Sequence, residues 1–386
     1  MADLFDVLII GAGIAGASLA ASLPAGLRVA LIEREAQPGF HSTGRSAALF
    51  SEIYGPAPIR ALSRASRAFL FDPPPDFTAT PLVAPRGALY VARPDQRASF
   101  AAMAALPDVA AGTRTVDLAE ASRLSPLLRH GYAGQALFEE AARDIDVNAL
   151  HQGYLRRFRA KGGELRVDSG VSAIERSGDF WRVRTAAGDM ESATLVNAAG
   201  AWADHVGAMA GALPIGLTPR RRTVVLVEGG EAPQVAASAM TIDIDEQFYF
   251  KPDAGLLLLS PADETAVDAC DAQPEEIDVA VAIDRVERAT TLTVRRVRAK
   301  WAGLRSFVAD RRPVVGFDPV LPGFFWLAGQ GGYGIQTAPA MGRLAAALVR
   351  GEAAPSNLTD CGLNLADIAR RRLGATPAAS SSARAS

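Results

Sequence analysis

Cysteine is nearly absent from this chain: Cys270 and Cys361 are the only two in 386 residues. Two cysteines so far apart build neither a disulfide framework nor a thiolate metal site, and they suit a reducing compartment. Histidine is scarce as well. His41, His130, His151 and His205 are the whole complement, with no two spaced four apart, which argues against a histidine metal site. An excess of one charge is also missing. Forty basic residues stand against 42 acidic ones, a formal net charge of -2, so no electrostatic footprint exists for nucleic acid or an anionic membrane surface. No apolar run reaches the ~18 to 20 residues that a bilayer span needs. The apolar first 23 residues carry Asp3 and Asp6 and no basic residue before Arg28, the wrong flank for a secretory signal. No internal repeat is visible. The expectation is a cytoplasmic globular enzyme with no bound metal and no transmembrane segment, peripheral contact with the inner face of a membrane being compatible with it. At roughly 150 residues per domain the length gives two or three domain equivalents, enough core to need no staples.

Glycine, by contrast, is abundant where it carries meaning. Leu8, Ile9 and Ile10 form a short continuous apolar run, as in a strand buried on both faces, and lead into Gly11-Ala12-Gly13-Ile14-Ala15-Gly16. A helical stretch follows to about Leu23, then a second strand, RVALI, ending in Glu33. This is a βαβ unit with the dinucleotide fingerprint. Gly11 permits the tight turn, Gly13 admits the pyrophosphate close to the backbone, and Gly16 lets helix and strand pack closely. The helix N-terminus offers N–H groups to the phosphates, and Glu33 suits a ribose hydroxyl. A lone motif of this kind is weak; strand, helix, second strand and acid in register are not.

The fingerprint alone does not separate NAD from FAD. A second strand-to-helix glycine turn does more: Phe324 to Ala328 opens into Gly329-Gln330-Gly331-Gly332-Tyr333-Gly334-Ile335-Gln336 and a helix. Its N-terminus can stabilise negative charge, which a reduced flavin carries and a nicotinamide does not. Asp146 is placed to cap a helix beginning at Val147, with Leu150, Tyr154 and Phe158 on its inner face. Between residues 223 and 260 the pattern changes to short strands (TVVLV, QFYFK, LLLLS) without helices between them, which implies an antiparallel sheet.

At this point the sequence resembles the glycine oxidase and D-amino-acid oxidase family of FAD enzymes, over residues 6 to about 350. The resemblance rests on G-A-G-I-A-G with Glu33, S-T-G-R-S-A-A, N-A-A-G-A-W and G-Q-G-G-Y-G-I-Q-T. Within that family it is most similar to the bacterial D-arginine dehydrogenase type of D-amino-acid dehydrogenase, through HSTGRSAA, NALHQGYLR, FYFKPDAG and WAGLRSFVAD. The resemblance implies an α/β fold, α+β overall: a discontinuous Rossmann-like FAD domain (1–80, 145–215 and 303–370) and a substrate domain on a mixed or antiparallel sheet (81–144 and 216–302). Residues 371–386 are expected to form a disordered tail. The implied cofactor is noncovalent FAD, held by Gly11, Gly13, Ile14, Ala15, Gly16, Glu33, Arg34, Ser42, Thr43, Gly44, Arg45, Ser46, Ala47, Val171, Ala199, Gly200, Trp202, Gly331, Gly332, Tyr333, Gly334, Ile335 and Gln336. Ser46 and Ala47 are expected along the flavin ring and Arg45 near the phosphates.

Oxidising an amino acid at its α-carbon needs a carboxylate anchor, and arginine's planar fork is the best one. Arg305 matches the family's anchor, its neighbours Trp301, Leu304, Phe307 and Val308 arguing against a surface cation; Arg222, in the run Arg220-Arg221-Arg222, is a second candidate. Tyr54 and Tyr249 are expected to donate to the carboxylate, although a tyrosine in a Phe-Tyr-Phe strand is more commonly core. Gly332 is expected beneath the substrate amine. Arginine-preferring members would carry an acid in the segment of residues 85–90, and a polar histidine where Leu49 stands; this chain offers Ala88 and no acid. A buried guanidinium without a partner is costly, so the pocket of Leu49, Ala88, Met240 and Ile242 is expected to take neutral or apolar side chains. Glu52, Asp243 and Glu246 are the carboxylates that could still reach in. The expected reaction is hydride transfer from the α-carbon to flavin N5, giving 2-oxo acid and ammonia, with electrons passed to a quinone or electron-transfer chain. The alternatives are an oxygen-using glycine or sarcosine oxidase, a 2-hydroxy-acid dehydrogenase, and a flavin-binding interaction protein.

Overall fold

The computed structural model describes residues 3–229 and 231–374. Five parallel strands form the centre of the first sheet, in the order Phe324–Ala328, Gly188–Asn197, Asp3–Ile10, Val29–Ile32, Glu164–Arg166. Asp3–Ile10 sits in the middle because alternate residues feed two cores. Val7 and Ile9 join the helix side, while Leu8 and Ile10 join the side covered by the helix Ala203–Met209. On the helix side Ile14–Ser22 packs against Gly334–Val349 and Val147–Ala160. The first contact is close: a Cβ on Gly342 would stand 2.6 Å from the Ser18 carbonyl oxygen. Asp146 caps its helix as expected, its carboxylate accepting from the Ala149 N–H at 2.8 Å.

The second sheet runs Thr265–Ala266, Thr218–Val227, Leu256–Ser260, Tyr249–Asp253, Met240–Asp243, Ala88–Ala92, Gln135–Glu139, Arg114–Val116, with Val297–Phe307 along the other edge of Thr218–Val227. The strands between residues 218 and 260 are antiparallel to one another. The sheet is mixed because Met240–Asp243 runs parallel to Ala88–Ala92. Period-two alternation divides its faces. Phe248 and Phe250 turn into a core with Leu257, Leu259 and Val286, while Tyr249 turns the other way with Val224 and Met240. A small three-stranded sheet, Leu49–Phe50, Arg143–Ile145 and Val83–Pro85, stands apart from both. Of the segment expected to be disordered, residues 371–373 belong to the 3₁₀ turn Arg370–Leu373, and 375–386 lie outside the described residues.

Candidate active site

One cavity of about 730 Å³ runs from the glycine turn of the first sheet to the Tyr249 face of the second. At its first end, Gly11 has φ +103°, and a Cβ there would lie 2.5 Å from the Ala198 carbonyl oxygen. A Cβ on Gly16 would lie 2.0 Å from the Gly11 carbonyl oxygen, so this glycine serves helix–strand packing behind the wall. Glu33 is buried and accepts from the Ala12 N–H at 3.0 Å and the Glu35 N–H at 3.1 Å. Thr43 Oγ1 accepts from the Ile14 N–H at 3.0 Å, which brings the S-T-G-R-S loop over the helix start. Arg34 lies over the Trp202 ring at 4.7 Å, and Trp202 also packs on His41. Beneath the turn, His151 Nε2–H donates to the Ala12 carbonyl at 2.8 Å. Burial lowers its pKa and keeps the ring neutral.

At the other end, strand alternation resolves the arginine run. Arg221 faces away from the cavity into Glu275 and Asp278. Arg222 faces the cavity, its Nε donating to the Asp263 carbonyl at 2.8 Å and an Nη lying 3.4 Å from Glu264. Arg305 faces it too, and its Nη1 donates to the Tyr54 hydroxyl at 3.2 Å. Burial opposes the Arg305 charge, yet Tyr54, Tyr249 and Glu246 around it outweigh that and raise its pKa. The space a side chain at 332 would fill is taken by this guanidinium: a Cβ on Gly332 would lie 2.7 Å from Arg305 Cζ. Gln336 Oε1 accepts from the Ser51 N–H at 3.0 Å, which fixes the amide's orientation. Its Nε2 and that of Gln330 are buried without a partner, on two residues that line the cavity.

The cavity thus gathers Arg305, Arg222, Tyr54, Tyr249, Gly332, Leu49, Met240 and Ile242 at one end. Gly11, Gly13, Ile14, Ala15, Glu33, Arg34, Ser42, Thr43, Arg45, Ser46, Ala47, Val171, Ala199, Gly200, Trp202, Gly331, Gly334, Ile335 and Gln336 line it as well. Four expected contacts stand behind the wall instead. Ala88 is fully buried in the second sheet with Ile53 and Leu137. Gly44 closes a turn onto the Gly39 carbonyl, Gly16 packs on Gly11, and Tyr333 packs on Tyr54 with ring centroids 5.0 Å apart. Arg45 lines the wall, and its guanidinium is held by the Ala272 and Ala302 carbonyls and Asp271. Of the three carboxylates that could reach in, Glu246 alone lines the cavity. Asp243 is buried against Gln96 and Arg93, and Glu52 lies against Arg67. Sequence reasoning missed Val224, Ser51, Tyr90 and Gln330 on the wall; of these only Gln330 lies in a motif, the second glycine turn.

The family model for FAD-dependent oxidoreductases (DAO) matches residues 6–348. The chain belongs to that family. Its cofactor is FAD, and the residues present fit it: a glycine turn whose missing Cβ atoms leave the backbone bare, a buried acid, and two unpartnered amides at the far end. Subunit HcnC of the hydrogen cyanide synthase of Pseudomonas aeruginosa is 29% identical over 277 residues, 70% of this chain and 65% of that one. This chain spans less than two thirds of the length of the curated relatives it matches. Among solved structures, glycine oxidase from Geobacillus kaustophilus superposes with a TM-score of 0.77 at 22% identity, covering 91% of this chain and 96% of that one. The FAD-bound L-α-glycerophosphate oxidase of Mycoplasma pneumoniae gives 0.79 at 19% identity, covering 90% and 95%. At such identities these two likenesses show the fold. Among the described residues no helix is long and apolar enough to cross a membrane, and no group of three or more His, Cys, Asp or Glu is placed to hold a metal.

Proposed function

We propose that this protein oxidises D-amino acids with neutral or apolar side chains to 2-imino acids, which water converts to 2-oxo acids and ammonia, and that it passes the electrons to an acceptor other than oxygen, such as a quinone. When bound, noncovalently, FAD supplies the two-electron acceptor for this oxidation. The observation that carries the reading is the pair of guanidiniums, Arg305 and Arg222, facing one cavity end with Tyr54 and Tyr249. Two cations and two hydroxyls there are suited to a single carboxylate. Tyr54 accepts from Arg305 and so keeps its own proton free to donate to that carboxylate. Leu49, Met240 and Ile242 beside them offer no charge to a substrate side chain. His41 and His205 line the cavity with Trp202 and Val206, among the dinucleotide contacts, so no histidine at the arginine end serves as a base. The substrate amine therefore has to arrive neutral, and kcat/KM is expected to rise with pH until that amine is deprotonated.

The test is an anaerobic titration of the FAD-loaded protein with matched D- and L-amino acids, sarcosine and a 2-hydroxy acid, read by the flavin's visible absorbance. Bleaching by neutral D-amino acids and not by their L partners is expected, with slow recovery of colour in air. Preferential bleaching by D-Arg or D-Lys would point to Glu246 as a side-chain partner and overturn the neutral pocket. Bleaching by sarcosine or a 2-hydroxy acid alone would overturn the amino-acid reading.

A further inference from the structure

Directly across the second sheet from Ala88 stands Glu139. It is 1% exposed, a carboxylate where its neighbours on the same face, Ala88, Tyr90, Leu137, Phe100 and Val109, are all buried and uncharged. Such a group persists only if its oxygens are satisfied. Both partners come from one segment: Oε2 accepts from Ser51 Oγ–H at 2.7 Å and Oε1 from the Glu52 N–H at 2.9 Å. That same segment reaches the substrate end of the cavity twice. The Ser51 N–H donates to Gln336 Oε1 at 3.0 Å, and two residues past Glu52 the Tyr54 hydroxyl meets Arg305 at 3.2 Å.

Resting on the carboxylate-binding role given above to Arg305 and Tyr54, we infer that Glu139 is a positioning residue of the active site. It clamps residues 51–54 so that Tyr54 stays on Arg305 and the Gln336 side chain keeps its place in the cavity wall. The clamp depends on a carboxylate that accepts two hydrogen bonds. A protonated carboxyl becomes a donor at one oxygen, where it meets the Ser51 hydroxyl, whose proton then has to find another acceptor. Burial raises the Glu139 pKa to about 7, which places the loosening of the clamp near neutrality. The titratable groups that face it are Glu52 from the clamped segment, itself 3.5 Å from Arg67 on the helix Ala57–Phe71, and Tyr90 from the opposing strand Ala88–Ala92. Glu52 raises the Glu139 value further by repulsion, and Tyr90 is held neutral by its own burial.

The experiment follows the binding of benzoate, a carboxylate with no amine to titrate, to the FAD-loaded protein by the perturbation of the flavin spectrum. Its dissociation constant is measured from about pH 8 to about pH 6, across the Glu139 value. The wild type is expected to bind several-fold more weakly at the acid end. Glu139→Gln, whose amide can accept only one of the two bonds, is expected to bind weakly and evenly across the range, while Glu140→Gln, an exposed neighbour, follows the wild type. Ser51→Ala removes the linking hydroxyl and is expected to flatten the profile in the same way, which keeps the test open if Glu139→Gln fails to fold. A pH step that survives unchanged in Glu139→Gln or in Ser51→Ala overturns the inference. Benzoate that binds to none of these proteins at any pH overturns the carboxylate-binding reading itself, and the positioning role with it.

Discussion

Gly332 leaves room for the Arg305 guanidinium, and a methyl group added there would lie 2.7 Å from Cζ. The side chain is flexible enough to move aside, but movement of about 1 Å at an orienting group commonly costs about 10²-fold in rate. Gly332→Ala is expected to lower kcat/KM by roughly that factor while the protein still binds FAD, checked by steady-state kinetics beside flavin content. Glu139 makes a prediction about stability. Its folded pKa, about 7, lies above the ordinary 4.5, so burial favours the folded state only while the carboxyl is protonated. That contribution is complete below about pH 4.5 and is lost as pH rises to about 7, a decline of about 3 kcal/mol at ~1.4 kcal/mol per pH unit. Denaturant titrations of Glu139→Gln should show this decline reduced or gone; an undiminished decline would remove Glu139 as its source. At this scale the sequence was only partly legible. Arg222 was named from its run by resemblance, while the turning away of Arg221 shows only in the folded strand, and Glu139 carried no mark, because its partners Ser51 and Glu52 are 88 and 87 positions away.

The elements were easier to read. The dinucleotide turn, the helix capped by Asp146 and the alternation of Tyr249 against Phe248 and Phe250 follow from local pattern, and local pattern is what a single chain displays. Pairings between distant strands do not show in that way. The parallel contact of Met240–Asp243 with Ala88–Ala92 makes the sheet mixed, and it is this layer that carries Ala88 behind the cavity wall. The partners of Arg45 were hidden for the same reason, since they lie 226 to 257 positions further along. The turn also carries the clearest element-scale prediction. At Gly11 an added Cβ meets a backbone carbonyl and the residue needs φ +103°, so neither relaxation nor rotation relieves it. Gly11→Ala is expected to destabilise the protein by about 2–3 kcal/mol and to purify without yellow colour. A yellow, stable Gly11→Ala protein would show that the turn is not under this constraint.

Across the whole molecule, the cavity is walled by both sheets and by most of the segment from Gly39 to Ser51. A cofactor filling it touches both sheets and this segment at once. FAD at 100 times its dissociation constant is expected to add about 2.7 kcal/mol to folding. The midpoint in a thermal melt should therefore climb with added FAD, and a melt that does not respond would mean the cofactor does not bridge the two walls.

The order of strands in the first sheet has a consequence for how the protein is made. Asp3–Ile10 is made well before its partner, for it pairs with Gly188–Asn197, and that strand in turn with Phe324–Ala328. The carbonyl that shapes the Gly11 turn belongs to Ala198, and the helix that packs on Ile14–Ser22 is Gly334–Val349. Asp3–Ile10 therefore waits, with one edge open, until Gly188–Asn197 has emerged. Contacts of such long sequence separation slow folding and expose strand edges to other chains. Yield during expression should accordingly depend on chaperone supply and on translation rate more steeply than the finished protein's stability alone would suggest.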